Sequence, residues 1–288
     1  MQSAYHIPVL LREVIDALNI RPDGVYVDCT FGGGGHSREI LKHLTTGKLI
    51  AFDQDAEAAR NVPQDDRLIF VPQNFRFVKN WVQLHGYQQV DGILADLGVS
   101  SHQFDSGERG FSIRFNGPLD MRMNPTRGLS AAEWLARIGA EKLENVLREN
   151  ADEPRAESIA MELAGRLFST TAQLSQAVRV ISRITEDEKE PTLRRVFQAI
   201  RIAVNEEFTA LDAFLRSLPD CLKPGGRVAI LTFHSGEDRR VKKCFQTGLR
   251  DGVFTEVSDG VITAGAEERH KNPRSRPAKL RWAVKVSA

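Results

Sequence analysis

The chain reads as an α/β fold in which a parallel sheet is interrupted by an all-helical insert, and three observations carry that expectation. Over the first hundred residues, short apolar runs alternate with helical periods. One such run, Val25–Cys29, leads directly into four consecutive glycines, Gly32–Gly35. Strand signals then vanish between about 105 and 205 and return near Arg227. The expected division is residues 1–104 as the first part of the sheet domain, 105–205 as the helical insert with an Arg/Phe-rich loop at its start, and 206–288 as the second part.

In order, the elements are a strand at Val25–Cys29, a helix over His36–Leu44, a strand at Lys48–Phe52 and a helix from about Asp55. A strand at Leu68–Val71, a helix over Phe75–Leu84 and a strand at Val90–Leu97 follow. Strict alternation implies parallel strands with helices on both faces, and ligands in such sheets bind beyond the carboxyl ends of the strands. Gly32–His36, Asp53, Phe75 and Asp96 are therefore expected at one edge. The insert opens with a loop from Gly107 to Gly128. Three apolar sets at helical spacing follow: Trp134, Ile138, Leu143, Val146 and Leu147 (one helix or a broken pair), then Ile159, Leu163 and Leu167, then Leu174, Val178 and Ile181. Glu186–Pro191 reads as a charged loop. From Leu193 one apolar face continues to Leu218, as one long helix or two in line, ending before Pro219 and a turn at Lys223–Gly226. Arg227–Phe233 is a buried strand, Gly236–Phe245 a basic helix, and Lys279–Val286 an edge or antiparallel strand.

Composition narrows the function classes. With 288 residues, 41% of them hydrophobic, the chain can bury a sizeable core. A net charge of +1 supplies no global field for nucleic acid, so any such binding must come from local patches. Cys29, Cys221 and Cys244 show neither CxxC nor zinc spacing, and His6, His36 and His102 form no metal set, so no metal is expected. The absence of an apolar leader or membrane-length run points to a cytoplasmic protein without a membrane partner.

The glycine loop implies a nucleotide cofactor, because glycine permits positive φ and close approach of backbone to ligand. Asp53 lies 20 residues after Gly33, the offset at which an acid at the tip of the second strand reaches ribose hydroxyls. The small residue that would pack helix on strand in dinucleotide folds is doubtful here, and the loop itself holds no base for a pyrophosphate. S-adenosylmethionine needs neither, and a ligand-free turn is the bland alternative. Arg109, Arg114, Arg122 and Arg127, interleaved with Phe111 and Phe115, combine phosphate contacts with stacking faces suited to single-stranded nucleic acid. Arginines pairing with Glu108 and Asp120 to order the loop are an equal alternative. Asn272-Pro-Arg-Ser-Arg276 is spaced like a phosphate-gripping loop, with solvated charge as its counterpart. Asp96 ends a buried run where an acceptor for the N–H of a target amine would stand, and it equally suits cofactor contact or a turn cap. His234 and Ser235 end the last parallel strand and face the same crevice, though a lone histidine there is more often structural.

Several stretches together carry a family resemblance: His6-Ile-Pro-Val-Leu-Leu, Thr30-Phe-Gly-Gly-Gly-Gly-His-Ser, Asp91-Gly-Ile-Leu-Ala-Asp-Leu-Gly-Val-Ser-Ser, Glu108-Arg-Gly-Phe-Ser and Gly117-Pro-Leu-Asp-Met-Arg-Met. Ser130-Ala-Ala-Glu-Trp-Leu, Phe233-His-Ser and Asn272-Pro-Arg-Ser-Arg extend it across the chain. The sequence resembles the small-subunit ribosomal RNA cytosine-N4 methyltransferases, the RsmH or MraW family. The resemblance implies a class I, Rossmann-like S-adenosylmethionine-dependent methyltransferase sheet with an inserted helical domain. Its substrate would be a cytidine of small-subunit ribosomal RNA or of the assembling small subunit. By position, cofactor contacts fall on Gly34, Gly35, His36, Asp53, Phe75, Asp96 and Gln103, the last by resemblance alone. Asp96, His234 and Ser235 are the expected catalytic residues, and Arg109, Arg114, Arg122, Asn272, Arg274 and Arg276 the expected RNA contacts. His102 stands where the family usually has proline, and Gly236 replaces a leucine. A non-catalytic assembly paralogue and an NAD-dependent oxidoreductase are the rival readings.

Overall fold

The computed structural model describes residues 8–181 and 184–287. His6 and Ile7 of the first motif lie outside the described residues. The chain divides into two compact units, one of residues 1–98 and 209–288 and the other of Val99–Phe208.

The first unit is built on an eight-stranded sheet. Strands β1 (Val25–Asp28), β2 (Lys48–Phe52), β3 (Leu68–Val71), β4 (Val90–Asp96), β5 (Leu222–Thr232), β6 (Phe254–Val257), β7 (Ile262–Thr263) and β8 (Lys279–Lys285) are ordered β3-β2-β1-β4-β5-β8-β6, with β7 also pairing β8. The pairs from β3 to β5 are parallel, and β8 is antiparallel to β5, β6 and β7. The order reverses between β1 and β4, the switch point at which doubly wound sheets open a crevice.

The two-residue period of the strands divides the core between two faces. Val27, Ile50, Phe52, Ile93, Val228 and Ile230 pack in one cluster with Val78, Phe214, Leu218 and Val241. Tyr26, Leu49, Leu94, Ala229 and Leu231 pack in another with Val14, Leu18, Ile40 and Leu41. The helices of its first segment are α1 (Leu11–Leu18), α2 (Gly35–His43) and α3 (Val78–Leu84). At the amino ends of the strands, the buried Asp91 carboxylate accepts from Val25 N (2.7 Å) and Lys223 Nζ (2.8 Å), and pairs with Arg21.

The second unit has its own core, in which Leu119, Met121, Leu135, Leu143, Ile159, Leu174 and Phe197 are buried together. Its helices are α4 (Ser101–Asp105), α5 (Ala131–Arg137), α6 (Ala140–Ala151), α7 (Ala156–Leu163), α8 (Thr171–Arg179) and α9 (Glu186–Val204). The returning segment of the first unit carries α10 (Glu207–Cys221), α11 (Ser235–Arg250) and α12 (Ala266–Lys271).

Several local expectations are corrected. The helix from Asp55 is a short 3-10 turn, Ala56–Asn61, with the Asp55 carboxylate accepting from Glu57 N. The Trp134–Leu147 set is a broken pair, and Leu167 is 67% exposed beyond the end of α7. Glu186–Pro191 forms the first turns of α9 rather than a loop. Thr185 and Glu188 make a capping box, and three acids in the first turn suit the positive end of the helix dipole. The apolar face from Leu193 belongs to two helices, since Glu206 takes φ +51° between α9 and α10. Pro219 lies inside α10, and Lys285 Nζ donates to its carbonyl and to that of Leu222. Lys223–Gly226 is an irregularity within β5, not a free turn: the register jumps from Val90↔Leu222 to Gly92↔Arg227, with Gly225 at φ +71°. β8 is an internal strand and not an edge, because β6 pairs its outer side.

Candidate donor and acceptor site

The bend after β1 is held from four directions. Gly34 N donates to Phe31 O (2.7 Å), closing a turn in which Gly32 and Gly34 take φ +51° and +75°. A side chain at Gly34 would place Cβ 2.7 Å from the Phe31 ring, so glycine is required there on two counts. Gly32 N donates to Asp53 Oδ2 (2.7 Å), and Asn61 Nδ2 donates to Gly32 O (3.1 Å). Arg38 bridges Gly33 O (2.6 Å) and Asn61 O (2.8 Å). Beneath the bend, the buried Asp28 carboxylate accepts from Ser37 Oγ (2.6 Å) and Thr30 N (3.0 Å). Asp28, Thr30, Ser37, Arg38 and Asn61 were not foreseen as site residues. Only the polar residues clustered around the glycines hinted at them.

Asp53 spends one lone pair of each oxygen on the backbone, accepting Gly32 N on Oδ2 and Asp55 N (2.8 Å) on Oδ1. A carboxylate has about four acceptor sites, so two remain for vicinal hydroxyls. Burial pushes its pKa up to about 6, against the two amide hydrogen bonds, so it is ionised at neutral pH. At Gly33 a Cβ would meet nothing within 4 Å, which leaves that face of the bend open. An acceptor pair for a ribose, an open glycine face and donors without a cationic pyrophosphate grip fit S-adenosylmethionine. Phe75 sits just after β3, where it makes an edge contact with Phe214 (centroids 5.5 Å). Its neighbour Asn74 donates to Gln54 Oε1 (2.8 Å) at the end of β2.

Across the switch point, Asp96 ends β4 with its N–H donating to Thr30 Oγ1 (2.7 Å). Its Oδ2 lies 3.4 Å from His36 Nδ1. The opposite ring nitrogen, Nε2, lies 3.0 Å from the Val9 carbonyl, which can only accept. Burial holds the His36 pKa down to about 4, although the Val9 carbonyl works against this, so the ring is neutral with its proton on Nε2. Nδ1 therefore presents a lone pair towards the Asp96 carboxyl. Burial, followed by the charges of Asp28 and Glu237, pushes the Asp96 pKa up to about 8. That shift favours the protonated carboxyl near neutral pH, with its Oδ2 facing the His36 Nδ1 lone pair at 3.4 Å.

His234 is committed to α11. Its Nδ1 accepts from Glu237 N (3.4 Å), while Glu237 Oε2 accepts from Phe233 N (2.8 Å) and His234 N (3.3 Å). Ser235 is exposed at the first residue of that helix. Leu231 pairs with Asp96, so the segment after β5 emerges beside Asp96. Lys279 pairs with Thr232, so Asn272–Arg276 enters β8 from the same edge, with Arg274 and Arg276 exposed and Asn272 buried.

The structure thus brings Gly34, Gly35, His36, Asp53 and Asp96 together within the first unit, with Phe75, His234 and Ser235 at the same strand ends. Gln103 belongs to the second unit, where it completes the capping box of α4 with Ser100. In that unit Arg109 and Arg122, expected on RNA, serve the loop itself. Arg109 Nη2 donates to Arg122 O (3.1 Å) and Met123 O (3.0 Å), and Arg122 grips Asp120 through Nε (2.8 Å) and Nη2 (2.6 Å). Phe111 is core, whereas Arg114 and Phe115 are exposed.

A class I sheet order, a glycine bend and an acid at the end of β2 define an S-adenosylmethionine-dependent methyltransferase. Residues 3–286 match the MraW methylase family, and the chain belongs to it. It is 47% identical over 300 residues to the ribosomal RNA small subunit methyltransferase H of Parabacteroides distasonis, covering 99% of this chain and 98% of that protein. The proteins of the same description from Bacteroides fragilis strain YCH46 (44% over 301 residues) and Porphyromonas gingivalis strain ATCC 33277 (45% over 308 residues) share the same coverage.

Proposed function

We propose that this enzyme methylates the N4 amine of a cytidine in small-subunit ribosomal RNA, and that it meets this substrate in the cytoplasm as free RNA or as an assembling subunit. The relatives' descriptions name ribosomal RNA of the small subunit, and among the described residues no helix is long and apolar enough to cross a membrane. The observation that carries the reading is the Asp96 carboxyl, tied to the glycine bend through Thr30 and His36 at the switch point.

When bound, S-adenosylmethionine supplies an electrophilic methyl group on a cationic sulfonium. Gly34, Gly35, His36, Asp53, Phe75 and Asp96 are its proposed contacts, and Gln103 joins them by resemblance. The N4 lone pair of cytosine is delocalised into the ring, so an acceptor must draw an N–H out of plane and take the proton once the N–C bond forms. Asp96 fills this role when ionised. A positive charge in the cleft favours its carboxylate, as any cation near a buried acid does. His36 holds the carboxyl in place. Ser235 offers its hydroxyl to the base edge, and His234 positions it by fixing the first turn of α11. Arg114, Arg274, Arg276 and Asn272 are the proposed RNA contacts, while Arg109 and Arg122 shape the loop that presents Arg114.

The test is mass spectrometry of small-subunit RNA from cells lacking the gene. One cytidine should lack its N4 methyl group, and the wild-type gene but not the Asp96→Ala variant should restore it. Retention of every N4-methylcytidine in the deletion strain would refute the reading.

A further inference from the structure

We propose that the second unit contains a nucleotide subsite, between the Ile113–Asn116 loop and α8, that stacks one unpaired base of the RNA other than the cytidine being methylated. The inference rests on the reading of RNA as substrate. A cavity of about 260 Å³ lies there, lined in part by Arg114, Phe115, Asn116, Ser175, Gln176 and Arg179. This is below the ~300–1,000 Å³ of sites that enclose a whole small molecule, as suits one residue of a longer ligand.

Each wall has the chemistry of a nucleotide. Phe115 is 45% exposed, and its ring has no aromatic partner among the described residues. Arg114 is exposed, and among the described residues its guanidinium has no hydrogen-bond or ion-pair partner. Arg179 is paired with Glu190, so the site carries one net positive charge, matched to one phosphodiester. Ser175, Gln176 and Arg179 follow at i, i+1 and i+4 on α8, and Gln176 with Asn116 supplies amide donors and acceptors for a base edge. An acidic peptide would call for several free cations and no stacking face. This site presents the reverse.

The cavity is also preorganised. The buried Thr171 hydroxyl donates to Phe115 O (2.7 Å) and accepts from Gly117 N (3.2 Å), while Thr171 N donates to Gly117 O (2.9 Å). Leu119 N donates to Ser169 O (3.0 Å) on the same edge. A Cβ at Gly117 would fall 2.1 Å from Gly107 O, so the two arms of the loop touch through backbone. Little backbone ordering entropy is left to lose when a base arrives.

The experiment is an abasic scan. A short single-stranded RNA centred on the methylated cytidine is prepared as a series, each member lacking one base, and affinity for the full-length enzyme is read by fluorescence anisotropy. For the wild type, one abasic position other than the target should weaken binding roughly 5- to 150-fold, the range for one stacked base. Phe115→Ala should weaken binding of the intact RNA by a similar factor and be indifferent to that abasic position. Phe115→Trp should retain wild-type sensitivity, and S-adenosylhomocysteine affinity should be unchanged in both variants. The subsite is refuted if Phe115→Ala binds intact RNA as the wild type does, or if its losses fall equally on every abasic position. A wild-type protein that does not bind the RNA would overturn the subsite, whereas the substrate reading stands or falls on the mass spectrometry of the deletion strain.

Discussion

Replacing Asp96 by asparagine should stabilise the protein while removing its activity, and the stabilisation should depend on pH in a defined way. In the folded chain the carboxyl is protonated up to about pH 8, whereas in the unfolded chain it ionises near its ordinary value of 3.8. Below about pH 4 both states carry the proton and the group costs nothing. Between about pH 4 and 8 only the unfolded state has released it, so wild-type stability falls by ~1.4 kcal/mol per unit. Above about pH 8 the penalty is constant. Without screening it would reach roughly 4 kcal/mol at pH 7. Water reaches the side chain, which is 23% exposed, and about half that figure is expected in practice. Asparagine is neutral throughout, and its amide can face His36 Nδ1 as the protonated carboxyl does. The melting temperatures of the two proteins should therefore converge near pH 4 and separate by several degrees at pH 8, at ~2–4 °C per kcal/mol. Scanning fluorimetry across that range is the assay. A difference independent of pH, or a less stable variant at pH 8, would refute the protonated carboxyl.

Asp53→Ala should lower S-adenosylhomocysteine affinity by ~1.5–3 kcal/mol for each hydroxyl contact to a charged acceptor, read by calorimetry; unchanged affinity would remove the ribose assignment. Gly34→Ala forces a Cβ into a φ of +75° and against the Phe31 ring, and should abolish cofactor binding while the sheet still melts cooperatively. Arg114→Ala should reduce the slope of log affinity against log salt by ~0.7 for a single-stranded RNA, whereas Arg109→Ala should lower loop stability, seen as faster proteolysis. Asp91→Ala leaves the Val25 amide without its acceptor while Arg21 and Lys223 stay solvated, and should cost roughly 1–3 kcal/mol in denaturant titration without altering cofactor specificity.

β1 to β4 are legible to within a residue because each is a short, nearly continuous apolar run, whereas β5 starts five residues before its expected Arg227 because Lys223–Gly226 has the composition of a turn. β3 begins and ends where the hydropathy does, and β2 adds only Lys48 before its apolar run. β6 escaped notice because Thr255 and Glu256 face solvent and only Phe254 is fully buried, and its presence turns β8 from an edge into an interior strand. The start of α9 reads as a loop because proline and four acids have a loop's composition, whereas at a helix amino end the acids are stabilising. In the site, the glycine bend and Asp53 could be located by spacing alone. The contact of His36 with Asp96 could not, since it joins residues sixty apart through the adjacency of β1 and β4. Charge made the arginine loop conspicuous, but only geometry separates Arg122, spent on Asp120, from Arg114, which faces outward.

Between β4 and β5, neighbours in the sheet, the chain makes an excursion of about 125 residues. Were that excursion a flexible tether, joining the two strands would cost ~2 kcal/mol more in closure entropy than a ten-residue link. Because Val99–Phe208 has a hydrophobic interior of its own, it can collapse first and shorten the tether. During synthesis the strands up to β4 must wait for the whole excursion to emerge, with one flank of β4 unpaired until β5 arrives. Helical stability in the excursion therefore sets how long that flank stays open to misassociation, and substitutions there should show up first as lower soluble yield and only afterwards as altered chemistry.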